Sequence, residues 1–247
     1  MFNRKNLITV LLFLGTSITS LFAILGQVYS ADSVLVWQAK KPLAKQLLAQ
    51  RRRPPRPPTP GGGEVYQELV NQAKKEESPA TRGVRLCPLS PGVVGINDTF
   101  SDRPLFLWQG GNIQRVELRR PGGDQILWEQ KLPPGDSKVI YEAQPLQVGQ
   151  TYQWSLYNSA NDYVRFIFRI MDETQRQEIA AELAEIEKSL KEQNATPEQI
   201  AVAKAEYFAA QRLWSDALRE IYLVENPSPA LTKTAQEITN QLCRNSI

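Results

Sequence analysis

The chain has 247 residues, 42% hydrophobic, 22% charged and 9% aromatic, a composition that excludes a polytopic membrane protein and a wholly disordered chain. It contains no histidine, which removes a Ser-His-Asp triad, a Cys-His pair and any His-ligated metal site, and its two cysteines alone cannot make a structural zinc or iron–sulfur site. The net charge of +3 is unevenly spread: residues 31–63 hold seven basic residues against Asp32, whereas residues 64–247 hold 20 basic and 25 acidic residues. The pattern is an acidic body with a basic arm.

Residues 1–30 have the three parts of an export signal. Arg4 and Lys5 start it, Leu7 to Leu25 is apolar, and Val28-Tyr29-Ser30 precedes Ala31. Small or modest side chains at the −3 and −1 positions suit signal peptidase and predict cleavage between Ser30 and Ala31. The rival reading is an uncleaved anchor, because this apolar run just spans a bilayer. Either reading places the remainder outside the cytoplasm, in the periplasm or cell envelope.

Residues 31–83 read as a spacer. Val34-Leu35-Val36-Trp37 and Leu43 to Leu48 are short apolar stretches, followed by Arg51-Arg52-Arg53-Pro54-Pro55-Arg56-Pro57-Pro58-Thr59-Pro60-Gly61-Gly62-Gly63. Proline fixes φ and lacks an amide proton, so this run predicts polyproline II followed by a glycine hinge, about 20 Å over residues 54–60. The plain reading is a solvated linker. The sharper one makes Arg51, Arg52, Arg53 and Arg56 an arm that touches anionic lipid headgroups or wall polymer. Nucleic acid is not expected as a partner of an exported chain with an acidic body. Residues 64–83, with only Val65, Leu69 and Ala73 at helical spacing, are taken as the end of the spacer.

Residues 84–170 change to short apolar runs between turn residues. Leu105-Phe106-Leu107-Trp108 predicts a buried strand, and Val116 and Leu118, Ile126 and Trp128, Val139 and Tyr141 alternate in the next three. Tyr152, Trp154 and Leu156, then Val164, Phe166, Phe168 and Ile170, alternate in the last two. Six or seven strands at this spacing, with turns such as Pro121-Gly122-Gly123-Asp124, predict an antiparallel β-sandwich.

Residues 171–243 switch to helical period. Ile179, Leu183, Ile186 and Leu190 form one stripe with Asp172 as cap. Thr196-Pro197-Glu198-Gln199 opens a second helix with a capping box. Ser215 or Asp216 is expected to cap a third helix, ended by Pro227. Ser228-Pro229 opens a fourth, with Leu231, Ala235, Ile238 and Leu242 facing inward. Residues 244–247 are a tail. Cys87 and Cys243 lie near the two ends of the folded part; in an oxidising compartment an even pair points to a disulfide, the alternative being two buried thiols.

Asp102-Arg103-Pro104-Leu105-Phe106-Leu107-Trp108 and Leu146-Gln147-Val148-Gly149-Gln150-Thr151-Tyr152-Gln153-Trp154 resemble bacterial immunoglobulin-like domains, which implies that Trp108 and Trp154 lie on inner faces. Helices two and three resemble one tetratricopeptide (TPR) unit, with Ala205, Phe208, Ala217, Ile221, Val224 and Pro229 at its characteristic positions. The order of these parts, with Thr81-Arg82-Gly83, Cys87 and the phrase Leu213-Trp214-Ser215-Asp216-Ala217-Leu218, resembles a cyanobacterial exported family of unknown function. The resemblance implies an α+β protein of the envelope, an Ig-like antiparallel β-sandwich followed by a small TPR-like antiparallel helical domain. It implies no reaction.

No Ser-x-x-Lys or phosphate-binding glycine loop occurs. Acids at helix spacing, such as Glu182, Glu185 and Glu187, read as a solvated face, and Asn97, Asp98 and Asp102 read as turn residues before they read as calcium ligands. The sequence therefore leads to a non-catalytic envelope protein with no catalytic residue, no cofactor and no metal, acting as a scaffold or interaction module for other envelope proteins. The alternative is a wall- or polysaccharide-binding module in which Tyr141, Tyr157 or Tyr163 stacks on sugars.

Overall fold

In the computed structural model, residues 66–76 and 86–244 are described. The export signal, the Ser30–Ala31 cleavage site and the arm residues Arg51, Arg52, Arg53 and Arg56 lie outside them. The fold is α+β, with two sheets and five helices among the described residues.

In chain order the elements are α1 (Gln67–Ala73), β1 (Leu86–Ser90), β2 (Asp98–Thr99), β3 (Leu105–Gly110), β4 (Ile113–Arg119), β5 (Ile126–Lys131), β6 (Lys138–Ile140), β7 (Thr151–Asn158), β8 (Tyr163–Ile170), α2 (Glu173–Glu192), α3 (Pro197–Ala210), α4 (Trp214–Tyr222) and α5 (Pro229–Arg244). One sheet has the order β1-β3-β6 and the other β2-β8-β7-β4-β5. Every pairing is antiparallel except that of β2 with β8.

Side-chain alternation decides what each strand buries. Val116 and Leu118 of β4, Tyr152, Trp154 and Leu156 of β7 and Phe168 and Ile170 of β8 share one core with Phe106 and Trp108 of β3. The Phe106 ring lies 5.2 Å from Trp154 and 5.5 Å from Trp128. Trp154 Nε1 donates to the Pro91 carbonyl at 3.0 Å, so the buried indole keeps a partner.

The other residues of β3, Leu105 and Leu107, enter a second core with Leu89 and with Phe208, Trp214, Leu218, Ile221, Leu231, Ile238 and Leu242 of the helices. Strand β3 is therefore buried on both faces, which explains its continuous apolar run. The division at residue 170 follows the chain but not the packing, because sheet and helices close this core together. Helices α4 and α5 pack on β1, α4 also on β3, and α2 and α3 follow outward. A disulfide of 2.04 Å joins Cys87 of β1 to Cys243 of α5.

Local capping sets the helix starts. Asp172 accepts from Gln175 N at 2.9 Å, and Thr196 and Gln199 form the reciprocal capping box. Of the α2 stripe, Ile179, Leu183 and Leu190 are buried and Ile186 is half-buried. Replacing Leu183 with Asp is expected to lower the urea-unfolding free energy by about 3 kcal/mol or more, because it removes core contacts and buries a charge. A variant with the parent's unfolding midpoint would show that this stripe is not a core face.

Three expectations are corrected. Residues 67–73 are not spacer but helix: Leu69, Val70 and Ala73 are buried against α3 and α5. The ends of the segment are held too, by Tyr66 OH donating to Glu198 Oε1 at 2.5 Å and by Arg212 Nη2 donating to Glu76 Oε2 at 2.9 Å. Ser215 and Asp216 do not cap α4. They lie inside its first turn and bind the segment that runs from β1 through β2 to β3: Ser215 Oγ accepts from Gly92 N at 2.8 Å, and Asp216 accepts from Phe100 N at 2.8 Å and Ser101 N at 2.9 Å. This segment approaches so closely that a Cβ on Gly95, whose φ is +79°, would lie 2.1 Å from the Arg212 carbonyl oxygen. Lastly, Tyr141 is buried against Trp128, with ring centroids 5.4 Å apart, and cannot stack on a sugar.

Candidate interaction surface

The helices cover the outer face of the three-stranded sheet, and the outer face of the five-stranded sheet remains exposed along much of β5 and β8. The residues that alternate with the core positions of β4, β5, β7 and β8 form this face. The register sets them in three rows across the strands: Lys131, Arg115, Tyr157 and Tyr163; Glu129, Glu117, Ser155 and Arg165; Ile126, Arg119, Gln153 and Ile167.

Glu117 is the anchor of the face and is only 2% exposed. A buried carboxylate needs donors or counter-charges, and this one accepts three hydrogen bonds and makes one further ion pair. Arg115 Nη2 reaches Oε1 at 3.2 Å, while Arg119 Nη2 at 2.9 Å, Arg119 Nε at 3.1 Å and the Tyr157 hydroxyl at 2.9 Å all donate to Oε2. Burial, and then the hydrogen bond to Glu117, raises the Tyr157 phenol above its ordinary value. The bond to Glu117 likewise raises Arg119.

The tyrosines stand in a ladder. The rings of Tyr157 and Tyr163 are 5.2 Å apart; the Arg115 guanidinium lies 4.1 Å from the Tyr157 centroid and that of Arg165 4.9 Å from the Tyr163 centroid. Such stacking fixes long arginine side chains and leaves their edges free to bond. Around the ladder, Tyr163 is 48%, Ile167 47% and Ile126 42% exposed, large values for such side chains. Arg115, Arg119, Lys131, Arg165 and Arg169 outnumber Glu117, Glu129 and Asp98, so the face has the opposite sign to the body.

Of the residues singled out in the sequence, Tyr157 and Tyr163 come together here and Tyr141 does not. Asp98 accepts from Arg169 at 2.7 and 2.9 Å and Asp102 from Arg176 at 3.1 Å, so arginines hold the two carboxylates among Asn97, Asp98 and Asp102, which read as turn residues before they read as calcium ligands. Among the described residues no group of three or more His, Cys, Asp or Glu side chains is placed to hold a metal ion, and no helix is long and apolar enough to cross a membrane. The sequence reading passed over Arg115, Glu117, Arg119, Arg165 and Ile167. Their signal was the charge at alternate positions of Arg115-Val116-Glu117-Leu118-Arg119, which marks a strand with one polar face.

Two acids of the helical layer are also perturbed. Burial pushes Asp216 up to about 6, and burial followed by the nearby Glu68 pushes Glu206 up to about 7. Asp216 is committed to the amides of Phe100 and Ser101.

Residues 70–245 match the model of a family described as a Domain of Unknown Function (DUF928). No curated protein and no solved structure matches the chain.

Proposed function

We propose, for a chain that belongs to the DUF928 family, a non-catalytic binding role in the cell envelope, with the outer face of the five-stranded sheet as the surface that takes a protein partner. The export signal read in residues 1–30 and the resemblance to cyanobacterial exported proteins support the location. The two sheets around one core are read as an Ig-like sandwich and the α3–α4 pair as a TPR-like unit, both architectures that supply surfaces.

One observation carries the reading: exposed Tyr163, Ile167 and Ile126 lie beside arginines already ordered by Glu117 and by the tyrosine rings. Tyrosine and arginine are the residues that dominate binding energy in protein interfaces, and ordering them in advance lowers the entropy lost on binding. A polysaccharide needs bare ring faces. Here Arg115 lies over Tyr157 and Arg165 over Tyr163, and Tyr141 is buried, so the geometry favours a protein. The buried acids Glu117 and Asp216 are occupied by structural hydrogen bonds, which supports a binding role over a catalytic one.

Proximity labelling in the native periplasm, comparing the parent with Tyr163→Ala/Ile167→Glu, tests this. Both side chains are exposed, so the variant keeps its fold, and labelling of the main partner is expected to fall at least about tenfold. Unchanged labelling would remove this face from consideration. Retention of the parent on isolated cell wall, lost in the variant, would instead favour the polysaccharide reading.

A further inference from the structure

Strand β5 ends the five-stranded sheet, and every residue of it except Trp128 is exposed. The other edge strand of that sheet, β2, has two residues. An open six-residue edge presents unpaired backbone groups to any strand of matching register. We propose that β5 pairs antiparallel with β5 of a second copy of this chain, about a two-fold axis at Gln130.

The ladder shows which groups are free to pair. Leu132 N donates to Gln114 O at 2.8 Å, and Gln130 is partnered with Val116 in the same phase, so the backbone groups of Gln130 and Leu132 point towards β4. Those of Glu129 and Lys131 point away from the sheet. The Lys131 carbonyl accepts from the side-chain amide of Gln130 at 2.8 Å, a local bond standing where a neighbouring strand would donate.

Charge selects both the partner and the register. An axis at Glu129 would set Glu129 against itself, and an axis at Lys131 would set Lys131 against itself. An axis at Gln130 sets Glu129 of each copy opposite Lys131 of the other, on one face, and pairs the outward backbone groups of both residues. Opposite charges directly across two strands attract and like charges repel. Arg115, 3.6 Å from Glu129, reinforces that carboxylate without blocking the edge. Pro133 and Pro134 follow β5 and cannot donate, so they end the pairing and disfavour a slipped register. Ile126 and Leu127, 42% and 40% exposed, lie opposite these prolines and gain apolar cover. The product is a two-fold assembly with one continuous ten-stranded sheet, in which the part of each outer face around Tyr163 and Ile167 of β8 stays open.

The test is made on the full chain. Gln130→Cys places two thiols across the axis within disulfide reach, since directly opposed residues of this kind have Cα atoms about 4.5 Å apart. It is expected to give a covalent dimer on a non-reducing gel, while Gln114→Cys on the interior strand β4 stays monomeric. By analytical ultracentrifugation the parent is expected to dimerise. Lys131→Glu should raise the dimer dissociation constant about tenfold or more, and the swap Glu129→Lys/Lys131→Glu should restore it. A parent that stays monomeric at its highest soluble concentration overturns the proposal. So does a dimer indifferent to Lys131→Glu, one that the swap fails to restore, or a Gln130→Cys chain that does not cross-link.

Discussion

Replacing Cys87 and Cys243 together with alanine is expected to lower the unfolding free energy by about 5 kcal/mol. The bridge spans a sequence separation of 156 residues, nearly the whole of the described chain from β1 to the last turn of α5. In the chain-entropy view, a link of that length mainly restricts the unfolded state, and the cost of closing so long a loop rises only logarithmically with length. A loss of this size is a third or more of the stability of an ordinary domain. Its consequence is also local. Strand β1 and helix α5 meet in the core that holds Leu89, Leu105 and Ile238, and α5 in turn carries α1. Without the link, both chain ends of this core can fray separately. Urea unfolding of the parent, the double variant and the parent under reducing agent measures it. The last two should coincide. A loss below about 1 kcal/mol would mean that the unfolded chain is already compact, so that the bridge restricts little.

The sequence was most readable where one residue type has one physical use. The alternation in β7 and β8 could serve only a strand with one buried face, and the continuous run Leu105 to Trp108 matches a strand buried on both. The Thr196-Pro197-Glu198-Gln199 signature led directly to the capping box of α3. It was least readable where tertiary contact overrides local preference. Helix α1 has seven residues, too few to be stable alone, and forms because Leu69, Val70 and Ala73 have a core to enter. Ser215 and Asp216 have the side chains of helix caps but bond to amides more than a hundred positions away in sequence. Arg115, Glu117 and Arg119 alternate with Val116 and Leu118 and were open to the same reading, yet alternation carries no information on which sheet the helices cover. That choice made the five-stranded sheet the open one, and with it the candidate surface.

Asp216→Ala is expected to destabilise the protein by about 3 kcal/mol at pH 7, and by more in acid. Its carboxylate, 2% exposed, is the acceptor for two main-chain amides of the loop that ties the sheets to α4. Alanine leaves both donors without this partner, at about 1–3 kcal/mol each when buried. Opposing this, the variant no longer buries a charge. That cost is what pushes Asp216 up to about 6, with the two amides and Arg219 pulling the other way and Glu220 adding to the rise. Two main-chain donors left without their acceptor cost more than the charge burial that the variant relieves, so the net change is a loss. The folded protein then binds a proton more tightly than the unfolded chain, whose Asp216 titrates near 3.8. Protonation therefore stabilises the fold: the contribution is fully present below about 4, declines as pH rises to about 6 and is absent above. Between pH 4 and pH 7 it amounts to about 2 kcal/mol. Glu206, pushed up to about 7, acts in the same direction, whereas Glu187, held down at about 2 first by Lys191 and then by Lys204, acts in the opposite direction at lower pH. The difference between parent and variant isolates Asp216 from both. Urea unfolding at pH 4 and pH 7 should show the gap between them widening in acid by about that amount. A gap that is the same at both values, or wider at pH 7, would mean that Asp216 is ionised throughout and that its amide bonds fully offset its burial.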